Sequence, residues 1–170
     1  MTNQLQIKLL SDNATMPTRN HSTDAGFDIY AAEIVVLEPQ EKALIATDIA
    51  VNIPKGYVGL LTSRSGVSSK TNLVIETGKI DAGFHGNMKI NIKNDYEDNG
   101  AETIFRRDLK DEIIIGDERH LYKQGTYVIN KGDKLAQLVI VPIITPELEQ
   151  VEEFTSESAR GEKGFGSSGF

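Results

Sequence analysis

The stretch F-D-I-Y-A-A-E-I-V-V-L-E-P-Q-E-K-A-L-I-A-T-D-I-A-V-N-I-P-K-G-Y-V-G-L-L, residues 27–61, decides the fold class. It divides into short runs rich in β-branched residues: Phe27–Ala32, Ile34–Leu37, Lys42–Ile53 and Tyr57–Leu61. Pro39, Pro54 and Gly56 stand where turns are expected, since Pro withdraws a backbone donor and Gly accepts positive φ. Short strands divided by turn residues, with no sustained helical period, predict an all-β sandwich or barrel.

The pattern continues outward. Gln4–Leu10 alternates, with Leu5, Ile7 and Leu9 on one face, and reads as a strand. Residues 11–24 are polar, contain Pro17 and read as a loop. Downstream, 73–75, 79–80, 88–92, 126–130 and 134–141 resume the β pattern, and Pro142 and Pro146 close the last run. Ser65–Thr71 is expected to give one short helix of two turns at most. Residues 94–125 interrupt the pattern with Arg106-Arg107-Asp108, Lys110-Asp111-Glu112 and one apolar run, Ile113–Ile115. They read as an insertion carrying a small hairpin or helical turn of its own. The expected organisation is a β domain over 1–158 and a flexible Gly-rich arm over 159–170.

Composition narrows the function. The chain has 170 residues, enough for one domain with a real core. It has no Cys, so disulfides, thiolate metal sites and thiol nucleophiles are excluded. His21, His85 and His120 lack metal-ligand spacing. A net charge of −7 argues against binding a long polyanion, so no direct nucleic-acid binding is expected. No apolar run is long enough to span a membrane. With no basic-then-apolar leader pattern, a cytoplasmic setting is expected.

Four turns and the arm carry polar chemistry. Asp24-Ala25-Gly26-Phe27-Asp28 offers two carboxylates four apart, suited to Mg²⁺ directly or through its waters, or to an ordinary turn into a strand. Arg64-Ser65-Gly66, opening the short helix, has the donors of an anion cradle, although it lacks the Walker spacing and also reads as a polar turn. Gly78-Lys79-Ile80-Asp81-Ala82-Gly83-Phe84-His85-Gly86-Asn87 is expected to form a tight hairpin. Asp81 would leave the sheet partly buried, as a general base on water or as a residue serving its own turn. Gly132-Asp133-Lys134-Leu135-Ala136-Gln137 turns into a strand with an amide, Gln137, able to contact phosphate. Arg160 to Phe170 combines Arg, four Gly and Phe165, the composition of an arm that orders over a nucleotide. The set fits an enzyme that attacks a nucleoside polyphosphate with water.

Five segments together resemble, in order and form, the five motifs of the trimeric deoxyuridine triphosphatases, the dUTPases. They are A-G-F-D at 25–28, S-R-S-G at 63–66, G-K-I-D-A-G-F-H-G at 78–86, G-D-K-L-A-Q at 132–137 and R-G-E-K-G-F-G-S-S-G at 160–169. The resemblance covers nearly the whole chain and implies a jelly-roll fold. It implies Mg²⁺-dependent hydrolysis of dUTP to dUMP and pyrophosphate by in-line attack at the α-phosphorus, with Asp81 as the base. It places Asp28 near the water shell of a metal held mainly by the substrate phosphates. Ser65 and Gly66 would hold the phosphate chain, with Arg64 and Gln137 positioning it. Backbone around Gly78, Lys79, Ile80, Asn87 and Lys89 would read uracil, and Phe84 would lie under the deoxyribose. Arg160 would meet the γ-phosphate, Phe165 stack on uracil, and Gly166, Ser167 and Ser168 wrap the phosphates. A homotrimer with shared sites is implied.

Two departures stand out. Phe84 occupies a position more often held by Tyr, and 94–125 is longer than in most members. That segment resembles an extra one in some bacteriophage dUTPases, a subgroup whose members can bind and inactivate a repressor of a mobile genetic element. The resemblance thus implies a repressor as a second partner, and host cytoplasm as the setting for a phage-encoded chain. A dCTP deaminase-like enzyme of the same fold would need polar residues beside the pyrimidine that the sequence does not display. A non-catalytic, nucleotide-gated regulatory module would not need Asp81 and a complete arm.

Overall fold

The computed structural model describes residues 4–117, 119–159 and 161–162. Among these, fifteen strands and one helix follow in order. The order begins β1 (Gln6–Leu9), β2 (Gly26–Tyr30), β3 (Val35–Leu37), β4 (Lys42–Ala46), β5 (Ile49–Asn52) and β6 (Tyr57–Ser63). The helix α1 (Ser65–Lys70) is followed by β7 (Leu73–Ile75), β8 (Gly78–Ile80) and β9 (Lys89–Asn94). Then come β10 (Glu102–Thr103), β11 (Phe105–Arg107), β12 (Ile113–Ile115), β13 (Tyr122–Lys123), β14 (Tyr127–Ile129) and β15 (Lys134–Pro142). The fold is the expected all-β jelly roll with one short helix.

Two sheets position the site. One runs β2-β15-β6-β8, the other β4-β9-β7. Their alternating residues meet in one core, where Ile29, Leu61, Leu138, Ile45, Ile90 and Ile92 are each at most 1% exposed. Burial of these aliphatic faces is the main driving force for closing the sandwich.

Three expectations about elements change. Lys42–Ile53 is not one strand, because Asp48 takes φ 52° and breaks it into β4 and β5. The break sends β4 to pair with β9 and β5 to pair with β1. Residues 78–87 do not form a paired hairpin. β8 pairs with β6 while β9 pairs with β4 and β7, so the turn carries the chain from one sheet to the other. Two core strands, each needing its apolar side covered, outweigh the local hairpin. At β1, Leu9 is 47% exposed rather than covered.

The inserted segment contains the expected hairpin, β11–β12, and no helical turn among its described residues. It is joined to the domain rather than hung from it. β11 pairs in parallel with β14, in a sheet ordered β12-β11-β14-β3. Asn94, fully buried, donates its amide to the carbonyls of Leu37 (3.0 Å) and Gly125 (2.9 Å), tying the two ends of the segment together. Leu109 packs against the core, and Asp111 Oδ1 lies 3.2 Å from the hydroxyl of buried Tyr127.

Candidate active site

Three of the motifs meet at one carboxylate. Asp28 sits on the face of β2 opposite the core residue Ile29, yet is only 4% exposed. β15 runs beside it with Gln137 opposite Asp28, and β6 runs on the other side of β15. That layout brings the residue after β6, Arg64, and the first residue of β15, Lys134, to the same place. Arg64 Nε donates to Asp28 Oδ1 at 2.8 Å, Lys134 Nζ to Oδ2 at 2.9 Å, and Gln137 Nε2 to Oδ1 at 3.5 Å. Burial alone would raise the Asp28 pKa. The Lys134 hydrogen bond, the Arg64 charge and the Gln137 amide more than offset it, so the carboxyl titrates below its ordinary range. The same bond raises the Lys134 pKa.

Arg64 also donates to the Lys134 carbonyl at 3.4 Å and stands at the N-cap of α1, whose first turn has no side-chain cap. Gly66 faces open space. Beside it lies a cavity of about 290 Å³, lined in part by Arg64, Gly66, Lys70, Leu109, Asp133 and Lys134, so the insert forms one wall next to α1. Asp133 Oδ2 accepts the Asn130 amide at 2.7 Å, and burial raises its pKa.

The third motif lies elsewhere. β8 ends at Ile80, and Asp81 then enters solvent exposed rather than partly buried. A turn follows, with the Phe84 amide donating to the Asp81 carbonyl at 3.1 Å and Gly83 at φ 93°. The Phe84 ring is 45% exposed and rests over Gly86, where an added Cβ would fall 2.7 Å from its Cζ. Asn87 pairs with Asp48: the Asp48 amide donates to Asn87 Oδ1 (3.1 Å), and Asn87 Nδ2 donates to Asp48 Oδ1 (2.7 Å). Gly78, Lys79 and Ile80 belong to β8 and Lys89 opens β9 with its side chain exposed.

The two groups are apart within one chain. In the β6–β8 register Ile80 lies opposite Gly59, which places Asp81 level with Val58. Arg64 stands six residues further along the chain, about 20 Å at the usual rise per strand residue. Among the described residues no hydrogen bond or ion pair joins them. Arg160, Phe165, Gly166, Ser167 and Ser168 lie outside the described residues.

The chain offers no ready metal cage. Among the described residues no three His, Cys, Asp or Glu side chains gather to hold an ion. Asp28 spends both oxygens on Lys134 and Arg64, and Asp24 Oδ2 accepts the His21 amide at 2.9 Å, serving its own turn. The two carboxylates read as a Mg²⁺ pair therefore do different work, Asp28 holding two cations and Asp24 closing its own turn. Sequence reasoning assigned no role to Lys134 or Asp48, whose partners become apparent only when strands are paired.

The comparisons with known proteins agree with this fold. The family model for dUTPase matches residues 12–99 and 120–169, passing over most of the insert. A deoxyuridine 5'-triphosphate nucleotidohydrolase of Mycobacterium marinum is 35% identical, over 99% of this chain and 97% of its own. The dUTPase of Staphylococcus bacteriophage 80alpha, solved with dUPNHPP, is 73% identical over 99% of this chain and all of that one, at a TM-score of 0.95. That work describes phage dUTPases as controlling transfer of virulence genes by a proto-oncogenic G protein-like mechanism. With its motifs in order, its jelly roll and relatives along its full length, the chain belongs to the dUTPase family of dUTP-hydrolysing enzymes, and to the phage type within it.

Proposed function

We propose that this enzyme hydrolyses dUTP, arriving as its Mg²⁺ complex, to dUMP and pyrophosphate at sites built between copies of the chain. The observation that carries the reading is the separation of Asp81 from the clamp of Asp28, Arg64, Lys134 and Gln137. One group has the donors for a triphosphate and the other an exposed carboxylate beside backbone suited to a base. Neither makes a site alone, and two copies placed face to face would supply both.

In this reading Asp81 accepts a proton from a water that attacks the α-phosphorus in line. The bond to the bridging oxygen breaks, and pyrophosphate leaves. Ser65 and Gly66 hold the phosphate chain, while Arg64 and Gln137, aimed by Asp28, place it. The divalent ion belongs to the substrate, since its oxygens are the free ligands. Backbone of Gly78, Lys79, Ile80, Asn87 and Lys89 reads uracil, and Phe84 supports the deoxyribose. Arg160, Phe165, Gly166, Ser167 and Ser168 close the site from a further copy, making a homotrimer. Ile144, Leu148 and Phe154, 89–98% exposed in one chain, give the segment before the arm an apolar surface suited to a neighbour. Removal of dUTP keeps uracil out of DNA, and the dUMP product feeds thymidylate synthesis in the host cytoplasm.

The test is pyrophosphate release from dUTP, dTTP, dCTP and UTP with Mg²⁺, for wild type and Asp81→Asn. Turnover of dUTP alone, reduced at least about 100-fold in the variant, is expected. Turnover of dCTP with deamination, or dUTP binding without hydrolysis, would overturn the reading in favour of a deaminase-like enzyme or a regulatory module.

A second role follows from the insert. Phe105, Ile113, Ile115 and Leu121 are 41–68% exposed there, an apolar surface larger than a solvated hairpin needs. We read it as a docking face for a protein repressor of a mobile element. Ile113→Ser with Ile115→Ser should abolish repressor binding and leave dUTP turnover intact. Unchanged binding would remove the role.

A further inference from the structure

The bend between β4 and β5 grips the exit of the catalytic turn. Thr47 donates its backbone amide (3.3 Å) and its hydroxyl (2.6 Å) to the Met88 carbonyl. The Met88 amide donates to the Ile49 carbonyl at 2.9 Å. Between them Asp48 and Asn87 exchange the two hydrogen bonds described above. Ser11 then donates its hydroxyl to the second Asp48 oxygen, Oδ2, from the loop after β1. Residues 47–49 thus fix residues 87–88 through both backbone and side chain. Asp48 makes these contacts at φ 52°, a left-handed conformation that Asp, Asn and Gly tolerate and most residues do not.

We propose that Asp48 is the positioning residue for nucleobase recognition, holding the Asn87 end of the motif-three turn at the spacing that admits uracil. The proposal rests on the reading that this turn takes the pyrimidine. Asp48 touches neither substrate nor reacting atoms in this scheme. It acts through Asn87, with Ser11 as its support. A base pocket made largely of backbone has no side chain to adjust, so its width depends on what clamps its two ends. One end, Gly78–Ile80, is held in the ladder with β6. The other end turns away into a different sheet, and the Thr47–Ile49 bend is what fastens it.

The test uses the full chain with Asp48→Gly, Asp48→Asn and Ser11→Ala. Glycine keeps the left-handed backbone while removing the carboxylate. Asparagine keeps both the backbone and an acceptor for Asn87. For Asp48→Gly the expected result is a KM for dUTP raised about tenfold, kcat within about twofold, and discrimination against dTTP reduced by a similar factor. Asp48→Asn should return KM and discrimination to near wild type, and Ser11→Ala should give a smaller shift in the same direction. Thermal melts of each variant separate a loosened pocket from a lost fold. If Asp48→Gly does not fold, Ser11→Ala and Asp48→Asn carry the comparison, since both keep the bend. Unchanged KM and discrimination in folded Asp48→Gly, or in Ser11→Ala alone if that variant does not fold, would overturn the proposal, as would a fall in kcat at constant KM. A wild-type enzyme that did not prefer dUTP to dTTP would instead overturn the underlying reading of the site.

Discussion

Arg64 and Asp28, 36 positions apart in the chain, are joined by a 2.8 Å hydrogen bond from Nε to Oδ1 beneath the α1 turn. The bond fixes the Arg64 guanidinium, because Nε is committed and one terminal nitrogen reaches the Lys134 carbonyl. A fixed guanidinium can meet phosphate without first losing rotamer freedom. In the proposed site Asp28 therefore serves the phosphates by orienting cations.

Asp28→Asn should lower stability by about 2 kcal/mol at neutral pH, since it leaves two cations beside a neutral amide that are still partly reached by solvent. The corresponding fall in melting temperature is roughly 4–8 °C. The folded pKa of Asp28 lies below its ordinary 3.8, so this contribution is present above that value and is lost as pH falls through the lowered one. In melts of both proteins the gap should hold from pH 7 down to about 4 and narrow as pH falls below 3.8.

Asp133→Asn should do the reverse. Burial, with help from Asp108, raises the Asp133 pKa from 3.8, so the folded state is penalised once the carboxyl ionises. Stability from this group falls as pH rises from 3.8 through the raised value. An amide keeps an oxygen for the Asn130 N–H and carries no charge. Its melting temperature should exceed wild type at pH 7 and match it near pH 3. A variant less stable at neutral pH would contradict this account of Asp133.

Gly125→Ala tests the joint between insert and domain. Gly125 has φ 92°, and a Cβ there would run into the Tyr96 ring. The cost should be about 2 kcal/mol or more, read in a melt. Hydrolysis per folded enzyme should be unchanged, because the strain falls on the Asn94–Gly125 staple and away from Asp28 and Asp81. A selective loss of hydrolysis in folded protein would show that the insert works inside the catalytic site.

Much of the fold was legible because runs of β-branched residues and the turns between them are local signals. The motif segments were legible for the same reason: Gly83 does sit in an open turn at positive φ, and Gly66 faces open space in the first turn of α1. What escaped depended on pairing. Lys42–Ile53 reads as one run of strand formers, and nothing in that pattern marks Asp48 as left-handed. The third motif looked like a hairpin because Gly and Asp favour one, yet the requirement to cover Ile80 and Met88 sends its strands to different sheets. Lys134 reaches Asp28 across 106 positions, which no local pattern can reveal.

The most direct test of a site built between copies is to mix two inactive variants, Asp81→Asn and Arg64→Ala, the second keeping Lys134 on Asp28. The chains are unfolded and refolded together at equal amounts, and dUTP hydrolysis is measured against each variant refolded alone. If a site takes Asp81 from one copy and Arg64 from another, roughly a quarter of the sites in random assemblies are intact, and about that share of wild-type activity should return. Activity no higher than the separate variants, in assemblies proven to be mixed, would mean that Asp81 and Arg64 must come from the same chain, and would contradict the account.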